Sequence, residues 1–272
     1  MAIVPFWLQG RTASSIMTIL LFLFTVYLTS QARKGKFKTH IRELPAYDAI
    51  EEGIGRATEM NRPVFWATGD KGTLFNELAP HVLTSFAGLR YISELCVKYG
   101  AKQIVCVGGT KGGGADLLPY VQAIIDEAYT AGGKPGETEG IVRYIASEGS
   151  AYGAGLQGTI TRENPAAVMI IAPFGDNMIP PAEAAGRVGA ISIGGGARYG
   201  GSMDHHYVAF CDYWMICDEY FTFGALLTHE PATEAGIAIG DYTKWVLIAL
   251  TALGFLFLQL GMPFIKNFLS MG

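Results

Sequence analysis

The segment Gly108-Gly109-Thr110-Lys111-Gly112-Gly113-Gly114 lies between an apolar run, Gln103 to Val107, and a helical pattern that opens near Asp116. A glycine loop of this kind can aim several backbone amides and one ammonium group at a phosphate. It is not a P-loop, because no lysine followed by Ser or Thr comes after the last glycine, and it lacks the dinucleotide-binding spacing. A crowded turn is the plainer reading of the same residues. Similar polar or glycine-rich segments end other apolar runs: Thr68-Gly69-Asp70, Ser147-Glu148-Gly149-Ser150, Gly175-Asp176-Asn177 and Gly194-Gly195-Gly196. The candidate ligand-binding residues are therefore Thr68, Gly69, Gly108, Gly109, Lys111, Gly112, Glu148 and Ser150.

Other chemistry finds less support. Asp204-His205-His206 is the one histidine cluster, and adjacent histidines on a helix point about 100° apart, which suits one shared metal poorly. No metal site and no cofactor are expected. The carboxylate pairs Glu51-Glu52, Asp126-Glu127 and Asp218-Glu219 face different ways and read as solvated. Glu148-Gly149-Ser150-Ala151-Tyr152 misses both glycines of a hydrolase elbow. Cys96, Cys106, Cys211 and Cys217 show no paired metal spacing and read as reduced core residues. A net charge of −4 recommends no nucleic-acid partner. No catalytic set emerges.

The elements that must position these segments alternate. Strand-like runs occur at Val64 to Ala67, Gln103 to Val107, Val142 to Ala146, Ala167 to Ala172, Ala190 to Ile193 and Tyr213 to Cys217. Helical patterns occupy Leu44 to Met60, Leu83 to Tyr99, Asp116 to Ala131, Ser150 to Arg162 and Pro181 to Val188. The strands are continuous apolar runs, which means burial on both faces. The expected fold class is α/β: a mainly parallel, Rossmann-like open sheet with helices on both faces. In such sheets the ligand crevice opens at the strand carboxyl ends, where the candidate residues sit.

Both ends of the chain are apolar. Residues 13–31 hold no ionisable side chain except Tyr27, and residues 245–265 are interrupted only by Gln259 and Pro263. Each run is long enough to cross about 30 Å of hydrocarbon. The first is too long for a signal-peptide core, and Arg33-Lys34-Gly35-Lys36 is no cleavage site. Two transmembrane helices are expected, with residues 37–242 between them as one α/β domain. Only Arg11 precedes the first helix, whereas Arg33, Lys34, Lys36, Lys38 and Arg42 follow it, so the central domain belongs in the cytoplasm and both termini outside. The same cations are able to hold anionic lipid headgroups, at about 1 kcal/mol each. Within the second helix, Gly254, Gln259 and Gly261 suit contact with another helix better than with lipid.

The segment Glu43-Leu44-Pro45-Ala46-Tyr47-Asp48-Ala49-Ile50-Glu51-Glu52-Gly53-Ile54-Gly55-Arg56-Ala57-Thr58-Glu59-Met60-Asn61-Arg62-Pro63-Val64 resembles the opening motif of an uncharacterised prokaryotic membrane-anchored family, a domain of unknown function. Val142-Arg143-Tyr144, Arg162-Glu163-Asn164-Pro165-Ala166-Ala167, Gly189-Ala190-Ile191 and Ala209-Phe210-Cys211-Asp212-Tyr213 agree with it. The resemblance implies a membrane-anchored cytoplasmic α/β domain and brings no activity with it. The expected function is a non-catalytic α/β module, anchored in the lipid bilayer, that self-associates or scaffolds a complex with another membrane protein at the cytoplasmic face. The alternative is a nucleotide- or phosphate-binding sensor or enzyme that uses the strand-end crevice.

Overall fold

Strand β1, Val64–Ala67, is wholly buried, with Val64 and Trp66 pointing into one core layer and Phe65 and Ala67 into the other. That two-sided burial is what a continuous apolar run demands. The computed structural model of the chain describes residues 12–36, 44–109, 114–197, 204–228 and 231–260. Within them β1 is the third strand of a six-stranded sheet. The others are β2 (Gln103–Val107), β3 (Val142–Tyr144), β4 (Ala167–Ile171), β5 (Ile191–Gly196) and β6 (Tyr213–Ile216). The order is β3-β2-β1-β4-β5-β6, and every pairing is parallel. The sheet is of the expected α/β, Rossmann-like class.

Helices α2 (Pro45–Glu59), α3 (Ala79–Tyr99), α4 (Gly114–Ala131) and α8 (Asp218–Thr228) cover one face of the sheet. Helices α5 (Gly149–Glu163), α6 (Ile179–Arg187) and α7 (Asp204–Phe210) cover the other. The winding reverses between β1 and β4, which makes their carboxyl ends the topological switch point. Helix α2 buries Ala46, Ala49, Ile50, Gly53, Ile54 and Ala57 along one stripe. A Cβ at Gly53 would lie 3.1 Å from that of Ala167, so this glycine lets the helix settle directly on β4.

Two readings need correction. Gly194, Gly195 and Gly196 are not a strand exit but the second half of β5. Tyr207 from one face and Tyr220 from the other press against this strand, and a Cβ at Gly194 would come within 2.4 Å of the Tyr207 ring. Helix α3 begins at Ala79 rather than Leu83, because Pro80 suits the first helical turn, where no N–H is needed.

Arg62, just before β1, fastens the amino-terminal edge. Its guanidinium donates to the carbonyls of Asn164 (2.6 Å), Pro165 (2.8 Å) and Val188 (3.0 Å), and to the Asn164 side chain. Asn164 and Val188 are the carboxyl caps of α5 and α6, so one cation serves the negative ends of two helices.

The ends of the chain form a second unit. Helix α1, Thr12–Arg33, has 22 residues, and α9, Pro231–Gln259, has 29. Both are long and apolar enough to cross a membrane. They pack on each other, with Phe24 edge-on to Tyr242 at 6.0 Å. Gly254 belongs to the half-buried stripe of α9, whereas Gln259 is exposed. Gly261 lies outside the described residues.

Arg62→Ala should lower the unfolding free energy by about 2 kcal/mol, since it strips a charged donor from four acceptors. Arg62→Lys should restore less than half, for lack of the planar fork. Urea unfolding of the full chain in detergent measures both.

Candidate functional site

At the switch point the β1 exit runs Thr68-Gly69-Asp70. The Asp70 side chain has no exposed surface. Its Oδ1 accepts from the Gly175 N–H at 2.6 Å and its Oδ2 from the Asn177 side-chain amide at 2.5 Å. Gly175 precedes a single 3-10 turn, Asp176–Met178, that leads into α6, so Asp70 acts as a cap donated from another strand. The Lys71 ammonium stands 3.4 Å from Oδ2 and is partly exposed. Buried carboxylates persist only where charge and hydrogen bonds meet them, and both are supplied here.

The surrounding backbone is too close for side chains. A Cβ at Gly69 would fall 2.3 Å from the Pro173 carbonyl oxygen. One at Gly109, where φ is +92°, would fall 2.7 Å from the Asp70 Cα and 2.6 Å from the Tyr152 ring. One at Gly149 would meet the Asn177 amide at 2.6 Å and Asp70 Oδ2 at 3.1 Å. Four strand exits thus converge on one carboxylate.

Tyr152 of α5 seals the gap between β1 and β2. Its hydroxyl shares a proton between the carbonyls of Thr68 (2.9 Å) and Cys106 (3.0 Å) and lies 3.1 Å from Thr68 Oγ1. Thr68 Oγ1 in turn accepts from the Gly108 N–H at 3.2 Å. The ring stacks on Phe174 at 6.2 Å. Burial pushes the Tyr152 hydroxyl well above its usual range, and pushes the neighbouring Cys106 thiol up to about 12. Neither is poised for proton transfer or nucleophilic attack near neutral pH.

Two helix amino-termini face this edge with their donors already engaged. The Glu148 carboxylate accepts from the N–H groups of Ser150 (2.8 Å) and Ala151 (3.0 Å), filling the position that an anion would take on α5. At α3 the amides of Ala79, His81 and Val82 bond to Asn76 and Leu78 carbonyls, and Pro80 has none to offer.

Of the residues singled out by sequence, the structure brings Thr68, Gly69, Gly108 and Gly109 together at the switch point. Glu148 and Ser150 stand at its margin as parts of the α5 cap. Lys111 and Gly112 lie outside the described residues. Asp70, Asn177 and Tyr152, which hold the arrangement together, were not among the candidates. The signal for the first two was a polar residue at each of two strand exits, which becomes a pair only once β1 and β4 are known to be neighbours. His206 Nδ1 lies 3.9 Å from Asp176. Among the described residues no three His, Cys, Asp or Glu side chains gather as a metal site would require.

The chain belongs to the family described as a domain of unknown function (DUF6754), whose model matches residues 4–269. Comparison with curated proteins and with solved structures returns no match.

Asp70→Ala should cost about 2 kcal/mol, because a buried donor, the Gly175 N–H, and a half-buried one, the Asn177 amide, lose their acceptor. Gly109→Ala should cost at least as much, through its crowded, left-handed position, whereas Gly133→Ala, at φ +77° in open space, should cost about 1 kcal/mol. A smaller loss at Gly109 than at Gly133 in urea titration would show that the exits are not packed in this way.

Proposed function

We propose that the chain is a membrane-anchored α/β module that acts by assembly rather than catalysis, associating with itself or organising another membrane protein. The observation that carries this reading is the filled switch point. Where a sheet of this order ordinarily receives a ligand, Asp70, Asn177 and Tyr152 occupy the space, and the amides at the starts of α3 and α5 are spent on the protein's own acceptors. The described titratable groups at this edge include no pair tuned to opposite roles, as acid–base catalysis requires.

Surface features support assembly. Val208, Phe210 and Trp214 are exposed on α7 and β6, and among the described residues the outer edge of β6 faces no partner strand. In the helical unit, Gly254 lies on the stripe that α9 turns toward α1, with Ala235, Ala238, Ile239 and Phe257, whereas the Gln259 amide is exposed in an apolar stretch. We place the central domain at the cytoplasmic face of a cell membrane, with the segments beyond α1 and α9 outside, on the strength of the five cations that follow α1.

The mass of the intact chain in mild detergent and in nanodiscs tests assembly. More than one copy, or a stoichiometric membrane-protein partner, is expected. A strict monomer without a partner would refute the reading. Gln259→Leu should weaken the contact by about 1 kcal/mol, while Gly254→Leu should instead disturb the α1–α9 pair.

One observation favours a phosphate- or nucleotide-binding reading as second choice. Gly109, the last described residue before the segment that carries Lys111, lies directly against Asp70 at the switch point. If that loop holds an anion, Lys111→Ala should abolish a melting-temperature shift seen with one member of a nucleotide panel while leaving the unliganded melting temperature nearly unchanged. No shift with any nucleotide leaves the loop as a turn.

A further inference from the structure

We propose that Arg33, Lys34 and Lys36, at the end of α1, form a docking surface for anionic phospholipid headgroups. The inference rests on α1 and α9 crossing the bilayer and is independent of the assembly role.

The helix end is fixed. Gly35 takes φ +67°, its N–H reaches the Ala32 carbonyl at 2.9 Å, and the Lys36 N–H reaches that of Gln31 at 3.1 Å. This is a glycine-terminated helix cap that holds the backbone of all three cations in place. All three residues are exposed, and none makes an ion pair among the described residues. Interaction with the negative end of α1 accounts for a fraction of a charge, not for three.

Their level relative to the bilayer follows from the helix pair. The Phe24–Tyr242 contact sets the antiparallel register, and it brings the exposed rings of Tyr27, Tyr242 and Trp245 within about two helical turns of one another. Aromatic side chains so placed mark the boundary between hydrocarbon and headgroups. Arg33 lies six residues beyond Tyr27, about 9 Å along the axis. The headgroup layer extends roughly 5–8 Å past the hydrocarbon, within reach of long basic side chains turned back toward it.

Charge supplies the choice of lipid. On α9, Asp241 is engaged by Lys244 at 3.4 Å, and the register leaves Glu234 as the carboxylate near the Arg33 level, so positive charge remains in excess. With Lys38 and Arg42, whose placement lies outside the described residues, five of the 20 basic residues fall within ten positions; the rest of the sequence carries 15 basic against 24 acidic, a net −9. The rest of the chain is acidic in sum, so the excess of positive charge is concentrated in this stretch.

The test uses the full chain in nanodiscs of equal parts phosphatidylglycerol and phosphatidylcholine, with the lipids retained by the protein counted by native mass spectrometry. Phosphatidylglycerol should be enriched, and the R33Q/K34Q/K36Q variant should lose that enrichment, each cation removed lowering it by up to about fivefold. The charge-keeping R33K/K34R/K36R variant should retain it, and rising salt should weaken it in the native sequence. Both leaflets carry the same lipid, so an inverted orientation cannot mimic the effect. Equal retention of the two lipids by the native sequence, an enrichment indifferent to salt, or one unchanged in the neutralised variant would overturn the proposal.

Discussion

Opposite charges hold the central strand β1 at its two ends. Arg62 enters it with a guanidinium that gathers carbonyls from the ends of α5 and α6. Asp70 leaves it with a carboxylate that binds the β4 exit through Gly175 and Asn177. Both reach across to the half of the sheet begun by β4, residues more than a hundred positions later. Charge-assisted hydrogen bonds of this kind are the stronger ones, and each here replaces water lost to several neighbouring groups. The two halves of the sheet meet at β1 and β4, so their register depends on this pair of contacts.

The same arrangement decides what the carboxyl edge of the sheet can do. A carboxylate drawn into the switch point brings its neighbours with it, and only glycine backbone fits at 69, 109 and 149. Tyr152 closes the adjoining gap between β1 and β2, at a proton affinity too high for chemistry. Glu148 completes α5 with its own side chain. Amides able to meet a phosphate here include those of Ser150, Ala151 and Gly175, and these three are bonded to the protein's own carboxylates. Among the glycines read from sequence as a ligand cradle, Gly69, Gly108 and Gly109 have a packing reason.

Much of the fold is visible in the sequence because burial on both faces leaves a simple mark. Val64 to Ala67 and Gln103 to Val107 are apolar throughout and coincide with β1 and β2. The run at Ala190 to Ile193 loses that mark when three glycines follow, and β5 continues through them only because Tyr207 and Tyr220 supply the missing bulk from other elements. Edge strands are fainter still: β3 shortens to three residues, half-buried to exposed. Asp70 and Asn177 look like ordinary loop residues, since nothing local says that β1 lies beside β4. The motifs that carry the family resemblance do hold such information. Asn61-Arg62-Pro63-Val64 and Arg162-Glu163-Asn164-Pro165 look unrelated along the chain and meet in the Arg62–Asn164 contacts.

Hydrogen exchange at the Gly175 amide tests the filled switch point most directly, by deuterium uptake in peptides spanning Pro173 to Met178 of the full chain. Bound to a carboxylate with no exposed surface, that amide should exchange as slowly as those of β4, and Asp70→Ala should release it to the rate of an open loop. Rapid exchange in the unsubstituted protein would mean that Asp70 does not occupy the site and that the crevice stands open.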